Sequence, residues 1–126
     1  MDYSNQKDKT IILEDKGKIS QFNIENIIYF ECDQYLSTIH LLNTIKTETF
    51  CKQLKNIEEE LAKYGFLRVN RNILVNMKYV NNINRHKRYL IMESGIELKV
   101  SRSKWHNVRF FLKNKIPFIQ KNASFI

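Results

Sequence analysis

At 126 residues the chain has the length of one ordinary domain with a single core, so a two-domain arrangement is set aside. Its net charge of +8 is unevenly spread: residues 1–65 carry eight Lys+Arg against eleven Asp+Glu, whereas residues 66–126 carry thirteen against Glu93 and Glu97 alone. A basic half of this kind is the electrostatic footprint of a nucleic-acid binder, although a solvated basic face or an anionic membrane surface as partner would also produce it. No run approaches the roughly 18 apolar residues of a membrane span, and the polar start has no signal-peptide core, so a soluble, cytoplasmic protein is expected.

The expected fold is mostly β. Residues 1–9 read as a flexible start. Thr10–Glu14 and Lys18–Asn23 form a hairpin about Asp15-Lys16-Gly17, where glycine supplies positive φ. Ile27–Phe30 is a continuous apolar strand and Tyr35–Leu42 alternates well enough to pair with it across Asp33-Gln34. A third strand is expected at Thr44–Thr47. From Thr49 to Tyr64 the period changes: Phe50, Leu54, Ile57, Leu61 and Tyr64 recur at spacings of 4, 3, 4 and 3, which places them on one helical face, and Gly65 ends the helix.

The stretch Phe66–Tyr79 sets two apolar runs around Asn70-Arg71-Asn72, a polar trio that cannot share the core with its flanks and so projects. A guanidinium between carboxamides suits base edges, because Arg pairs bidentately with guanine and Asn with adenine; an ordinary solvated turn is the plainer reading. Asn76, between Val75 and Met77, reads as a buried amide pinning backbone. Three further strands follow at Tyr79–Asn84, Arg88–Met92 and Ile96–Val100. The turn between the first two, carrying Arg85, Lys87 and Arg88, suits phosphates. Ser101 caps a last helix through Asn114 whose apolar face is Trp105, Val108, Phe111 and Leu112. The apolar tail, Pro117–Ile119 and Phe125-Ile126, is expected to fold back on the domain.

The run Phe66-Leu-Arg68-Val-Asn70-Arg71-Asn72-Ile-Leu-Val75-Asn76 resembles the Phe-x-Arg-x-His-Arg-Ser-x-x-Val-Asn pattern of LytTR-type DNA-binding domains of bacterial response regulators. Asn70 and Asn72 stand where that pattern has His and Ser. Ile27–Tyr35 and Val100-Ser101-Arg102 add matches on either side, so the resemblance spans roughly residues 11–114. It implies an elongated stack of small antiparallel sheets with one central and one C-terminal helix, a domain over residues 10–116 followed by the tail 117–126, and loops rather than a recognition helix entering the major groove. On this basis Asn70, Arg71, Asn72, Arg102 and Tyr35 are the expected base readers. Arg68, Lys78, Arg85, Lys87, Arg88 and Lys104 are the expected phosphate contacts. The partner is expected to be duplex DNA with repeated half-sites, with a second copy bound beside the first. No receiver domain is recognisable in the sequence, which is therefore expected to be either a piece of a larger regulator or a stand-alone protein, the initial Met1 favouring the second.

Enzyme chemistry finds little support. Glycine occurs only at 17, 65 and 95, which leaves no phosphate-cradling loop. His40, His86 and His106 fall on separate elements without ligand spacing, and Cys32 and Cys51 read as free buried thiols, so neither metal nor cofactor is expected. The competing reading from another class is a protein-interaction module that docks an acidic partner on its basic face.

Overall fold

In the computed structural model, residues 9–114 are described, and they form ten strands and two helices in three antiparallel sheets. The first sheet is the hairpin of β1 (Thr10–Asp15) and β2 (Lys18–Asn23). Lys16 and Gly17 both adopt positive φ in its turn. A short 3-10 turn at Ile24–Asn26, started by the Asn23 side chain accepting from the Glu25 amide, leads into the central sheet.

That sheet contains β3 (Ile27–Asp33), β4 (Leu36–Leu41), β5 (Thr47–Cys51), β6 (Phe66–Asn70) and β7 (Ile73–Asn76), ordered β5-β4-β3-β7-β6. Strands β3, β7 and β6 are apolar on both faces because this part of the sheet lies between two cores, whereas β4 and β5 bury only one face. Phe30, Ile39, Phe50 and Leu74 face one core, shared with Ile11, Leu13 and Phe22 of the hairpin and with helix α1 (Leu54–Leu61). Tyr29, Val69 and Val75 face the other. This second core is closed by β8 (Val80–Asn84), β9 (Tyr89–Met92), β10 (Glu97–Lys99) and helix α2 (Arg102–Asn114), on which Trp105, Val108, Phe111 and Leu112 form the apolar stripe.

Three expectations are corrected. The third strand is Thr47–Cys51 rather than Thr44–Thr47, and α1 begins at Leu54 rather than Thr49. Phe50 mimicked the helical period because a strand position also points it into the α1 core, where it meets Phe22 edge-to-face at 5.6 Å. The β-branched Thr47 and Thr49 favour the strand, and β5 pairs with β4 from His40↔Thr47 to Leu36↔Cys51. A 3-10 turn at Ala62–Tyr64 extends the helix to Gly65, whose φ of +88° provides the left-handed stop. The cysteines are both free, but Cys51 is exposed and Cys32 half-buried, so the buried-thiol expectation fails for Cys51 because it takes the outward position of an edge strand. The tail at 117–126 lies outside the described residues.

Antiparallel order fixes where the loops go. Glu31 pairs with Ile73 and Asp33 with Leu36, so the β3–β4 turn, the β6–β7 turn and the exit of β5 toward α1 share one end of the central sheet. The β10–α2 junction is tied to that same end by the Ser101 amide donating to the Val69 carbonyl at 2.9 Å.

Asn76 is buried, as expected, and clamps two chain segments. Its Nδ2 donates to the Ile27 carbonyl at 2.9 Å, and its Oδ1 accepts from the Lys78 amide at 3.2 Å. Nearby, the Tyr79 hydroxyl donates to the Glu25 carbonyl at 2.5 Å, and burial, with Glu25 and Glu93 adding, raises its pKa above the ordinary tyrosine value. Asn76→Ala strands the Ile27 carbonyl in the core and is expected to lower stability by about 1–3 kcal/mol. A urea midpoint equal to that of the unchanged protein contradicts this assignment.

Candidate nucleic-acid interface

The β6–β7 connection is a two-residue turn, Arg71-Asn72, preceded by an irregularity in pairing between Arg68 and Asn70. Between Arg68↔Leu74 and Asn70↔Ile73, β6 uses one more residue than β7, which bends the strand and re-aims Asn70. The Asn70 Nδ2 donates to the Lys99 carbonyl of β10 at 2.7 Å, while its Oδ1 accepts from the Asn72 amide at 2.7 Å. Both ends of this amide are therefore committed to shaping the turn.

Arg68 performs the complementary task from the other side. Its Nε donates to the Asn70 carbonyl at 3.1 Å, one Nη to the Arg71 carbonyl at 2.6 Å and the other to Glu58 of α1 at 2.8 Å. The backbone carbonyls of the knuckle are thus turned inward onto a guanidinium. The side chains of Arg71 and Asn72 point outward, exposed and without a hydrogen bond among the described residues. The Asn72 carbonyl accepts from the Cys32 amide at 2.8 Å, continuing the β3–β7 ladder to the tip.

Arg71 and Asn72 form a ridge between two open grooves. One, of about 760 Å³, runs toward β3 and β10 and includes Glu31, Asp33, Thr38, Lys99 and Ser101. The other, of about 600 Å³, runs toward the start of α1 and includes Gln34, Gln53, Lys55 and Arg68. Tyr35 sits beside this face at the tip of the β3–β4 turn, 65% exposed, after Gln34 at φ +61°. Arg102 is the exposed first residue of α2, and Lys104 follows within the first turn, where there is no acidic residue. Cations at a helix N-terminus work against the helix dipole by about 0.3–1 kcal/mol each, and the same arrangement concentrates positive potential for an anion.

The expected site residues therefore divide. Arg71, Asn72, Tyr35, Arg102 and Lys104 gather at this end with free or exposed side chains; Asn70 and Arg68 are there too, but as braces. Lys78 is engaged elsewhere, 3.1 Å from Glu25 and over the Tyr79 ring. Arg85 and Lys87 are exposed in the β8–β9 turn. Arg88 closes that turn at φ +56°, its carbonyl accepting from the Val100 amide and its Nε buried without a partner. Sequence reasoning missed Lys99, whose Nζ lies 5.1 Å from the Tyr89 ring centroid and donates to the Lys87 carbonyl, and Lys55 in the second groove. Gln34, whose turn with Tyr35 the family resemblance puts at the DNA-facing edge, lines that groove.

The arrangement of grooves, ridge and cationic rim has relatives. The LytTr DNA-binding domain family matches residues 17–113. The chain belongs to this family. A solved LytTr DNA-binding domain from Bacillus cereus superposes with a TM-score of 0.68 over 82% of this chain and 95% of that one, at 23% identity, and so shares the LytTR fold. Transcriptional regulatory protein LytR of Staphylococcus aureus, in strains N315 and NCTC 8325, is 29% identical over 105 residues. These residues are 81% of this chain but 42% of each relative, so the chain spans less than half the length of those regulators.

The bracing role of Arg68 is testable apart from any contact with DNA. Arg68→Ala is expected to cost about 1.5–3 kcal/mol of stability, the range for hydrogen bonds to a charged group, and to weaken selective duplex binding while leaving its salt slope unchanged. A salt slope lower by about one unit would instead make Arg68 a phosphate contact.

Proposed function

We propose that this LytTR domain regulates transcription by binding specific duplex DNA, with the Arg71-Asn72 ridge entering the major groove. The observation that carries the reading is the braced knuckle: Arg68 and Asn70 hold the turn so that an unpaired guanidinium and an unpaired carboxamide stand free between two grooves. Arg71 pairs with the O6 and N7 edge of guanine, Asn72 contacts an adjacent base, and Arg102 and Tyr35 flank them. Lys87, Lys104 and Lys99 serve the sugar-phosphate backbone, which positions the protein without reading sequence. Asn70 sets the shape of the reading element rather than touching bases.

The competing docking module requires only a basic face and leaves the braced backbone beneath Arg71 without a purpose. Substitution distinguishes the two. Arg71→Ala is expected to cost about 1–3 kcal/mol on the selected duplex and little on random DNA. Lys87→Ala is expected to weaken both alike and to lower the salt slope by about one from a total near −4.5, the value for about five phosphate contacts. Equal losses on both DNAs for Arg71→Ala overturn the assignment of the ridge as the reader, and a total slope near zero removes duplex DNA as the partner.

A single domain presents one ridge, so productive sites are direct or inverted repeats with centres about 10 bp or a multiple apart, placing two copies on one face of the duplex. Inserting about half a helical turn between the repeats is expected to abolish cooperative binding in a gel-shift titration. Cooperative binding indifferent to that insertion contradicts the two-copy arrangement.

A further inference from the structure

A second cationic cleft lies away from the reading ridge, between the β8–β9 turn and the middle of α2. It is about 330 Å³ and is formed by Arg85, His86, Trp105 and Arg109. Two guanidinium groups and an imidazole converge there on the indole of the chain's one tryptophan. Among the described residues none of the three basic side chains makes an ion pair or a hydrogen bond, and the chain has no Asp or Glu after Glu97. Like charges held together without counter-charges raise the energy of the free protein, and an anion seated among them relieves that repulsion.

The two walls of the cleft are held in fixed relation. The β8–β9 turn is tied to β10 by Lys99 Nζ donating to the Lys87 carbonyl at 3.0 Å and by the Val100 amide donating to the Arg88 carbonyl at 2.8 Å. Trp105 is half-buried against the second core with Val108 and Leu112, so its exposed edge forms a stiff apolar wall. A low-dielectric wall strengthens charge contacts made beside it.

Helix α2 connects the cleft to the reading face. Arg102, Trp105 and Arg109 occupy positions i, i+3 and i+7 of α2, within one helical stripe. At 1.5 Å per residue, Arg109 lies about 10 Å along the axis from Arg102, a distance that spans about three phosphates at 3.4 Å of duplex axis per strand when the helix lies along the backbone. At the small end of ligand clefts, this volume suits one phosphodiester group rather than a helix or a folded peptide.

We propose that the Arg85–His86–Trp105–Arg109 cleft is a phosphate site that grips a backbone phosphodiester of duplex DNA about three nucleotides outside the segment read by Arg71 and Arg102. The proposal rests on the duplex-DNA reading above, and it gives the domain a footprint longer than its base-read sequence. Arg109 and Arg85 form the charged jaws, and Trp105 is the wall against which the sugar-phosphate lies.

The test uses the duplex recovered from a random pool by the full chain, prepared in two lengths: with several base pairs of flank on each side, and cut at the edge of the recovered sequence. The paired variant Arg85→Gln/Arg109→Gln is expected to bind the flanked duplex about tenfold more weakly, with a salt slope lower by about one, and to match the unchanged protein on the cut duplex. Methylphosphonate at the flanking position is expected to reproduce the loss in the unchanged protein and to have no effect on the variant. Circular dichroism establishes that the variant is folded. Equal affinity of the two proteins for the flanked duplex overturns the proposal, as does an equal loss on both lengths. Tryptophan fluorescence titrated with inorganic phosphate or with polyglutamate distinguishes other anions: a saturating change without any flank-dependent DNA loss assigns the cleft to a free anion or an acidic peptide and also overturns it. Base preference at Arg71 is measured separately, so loss of that preference would refute the reading function while leaving the flank result to stand or fall independently.

Discussion

The structure depends most on the clamp that Arg68 and Asn70 place on the β6–β7 turn. A two-residue connection between strands would ordinarily leave its carbonyls to water and its side chains to whichever rotamers entropy favours. Here one guanidinium satisfies two turn carbonyls and anchors to Glu58, while one carboxamide bridges the turn to β10. The conformational cost of fixing the backbone that carries Arg71 is met within the folded protein, before any partner arrives. Preorganisation of this kind improves affinity by reducing the ordering that binding must otherwise impose.

The clamp works because the β3-β7-β6 part of the central sheet is buried on both faces. Its core against the hairpin and α1 fixes Glu58 relative to β6, and its core against the three-stranded sheet and α2 fixes the Lys99 carbonyl relative to Asn70. Each brace therefore connects the turn to a different core. The antiparallel order then brings the β3–β4 turn and the α2 start to the same end, so several short loops form one surface without a long recognition helix.

Much of this was legible in the chain. Alternation and turn residues located the first hairpin, β3, β4 and the strands around the knuckle; the apolar stripe Trp105–Leu112 located α2. The resemblance carried by Phe66–Asn76 agrees with the family match and the shared fold. Phe50 misled because one apolar residue in a short strand fell in phase with a helix. The site was harder to read for a similar reason: charge is visible in sequence, whereas its partner is not. Arg68 and Lys78 look like free cations until Glu58 and Glu25 appear beside them. Asn70 and Asn72 look equivalent until the extra residue in β6 turns one inward, and Arg109 acquires meaning only when the β8–β9 turn brings Arg85 and His86 alongside.

The central claim is that Arg71 itself meets a guanine edge. Dimethyl sulfate methylates guanine N7 in the major groove, so protection of that atom reports a side chain lying on it. On a duplex selected by the protein, one guanine per half-site is expected to be protected by the unchanged chain and to react freely when Arg71→Ala is bound at saturating concentration. Unaltered N7 protection in the variant would contradict the account.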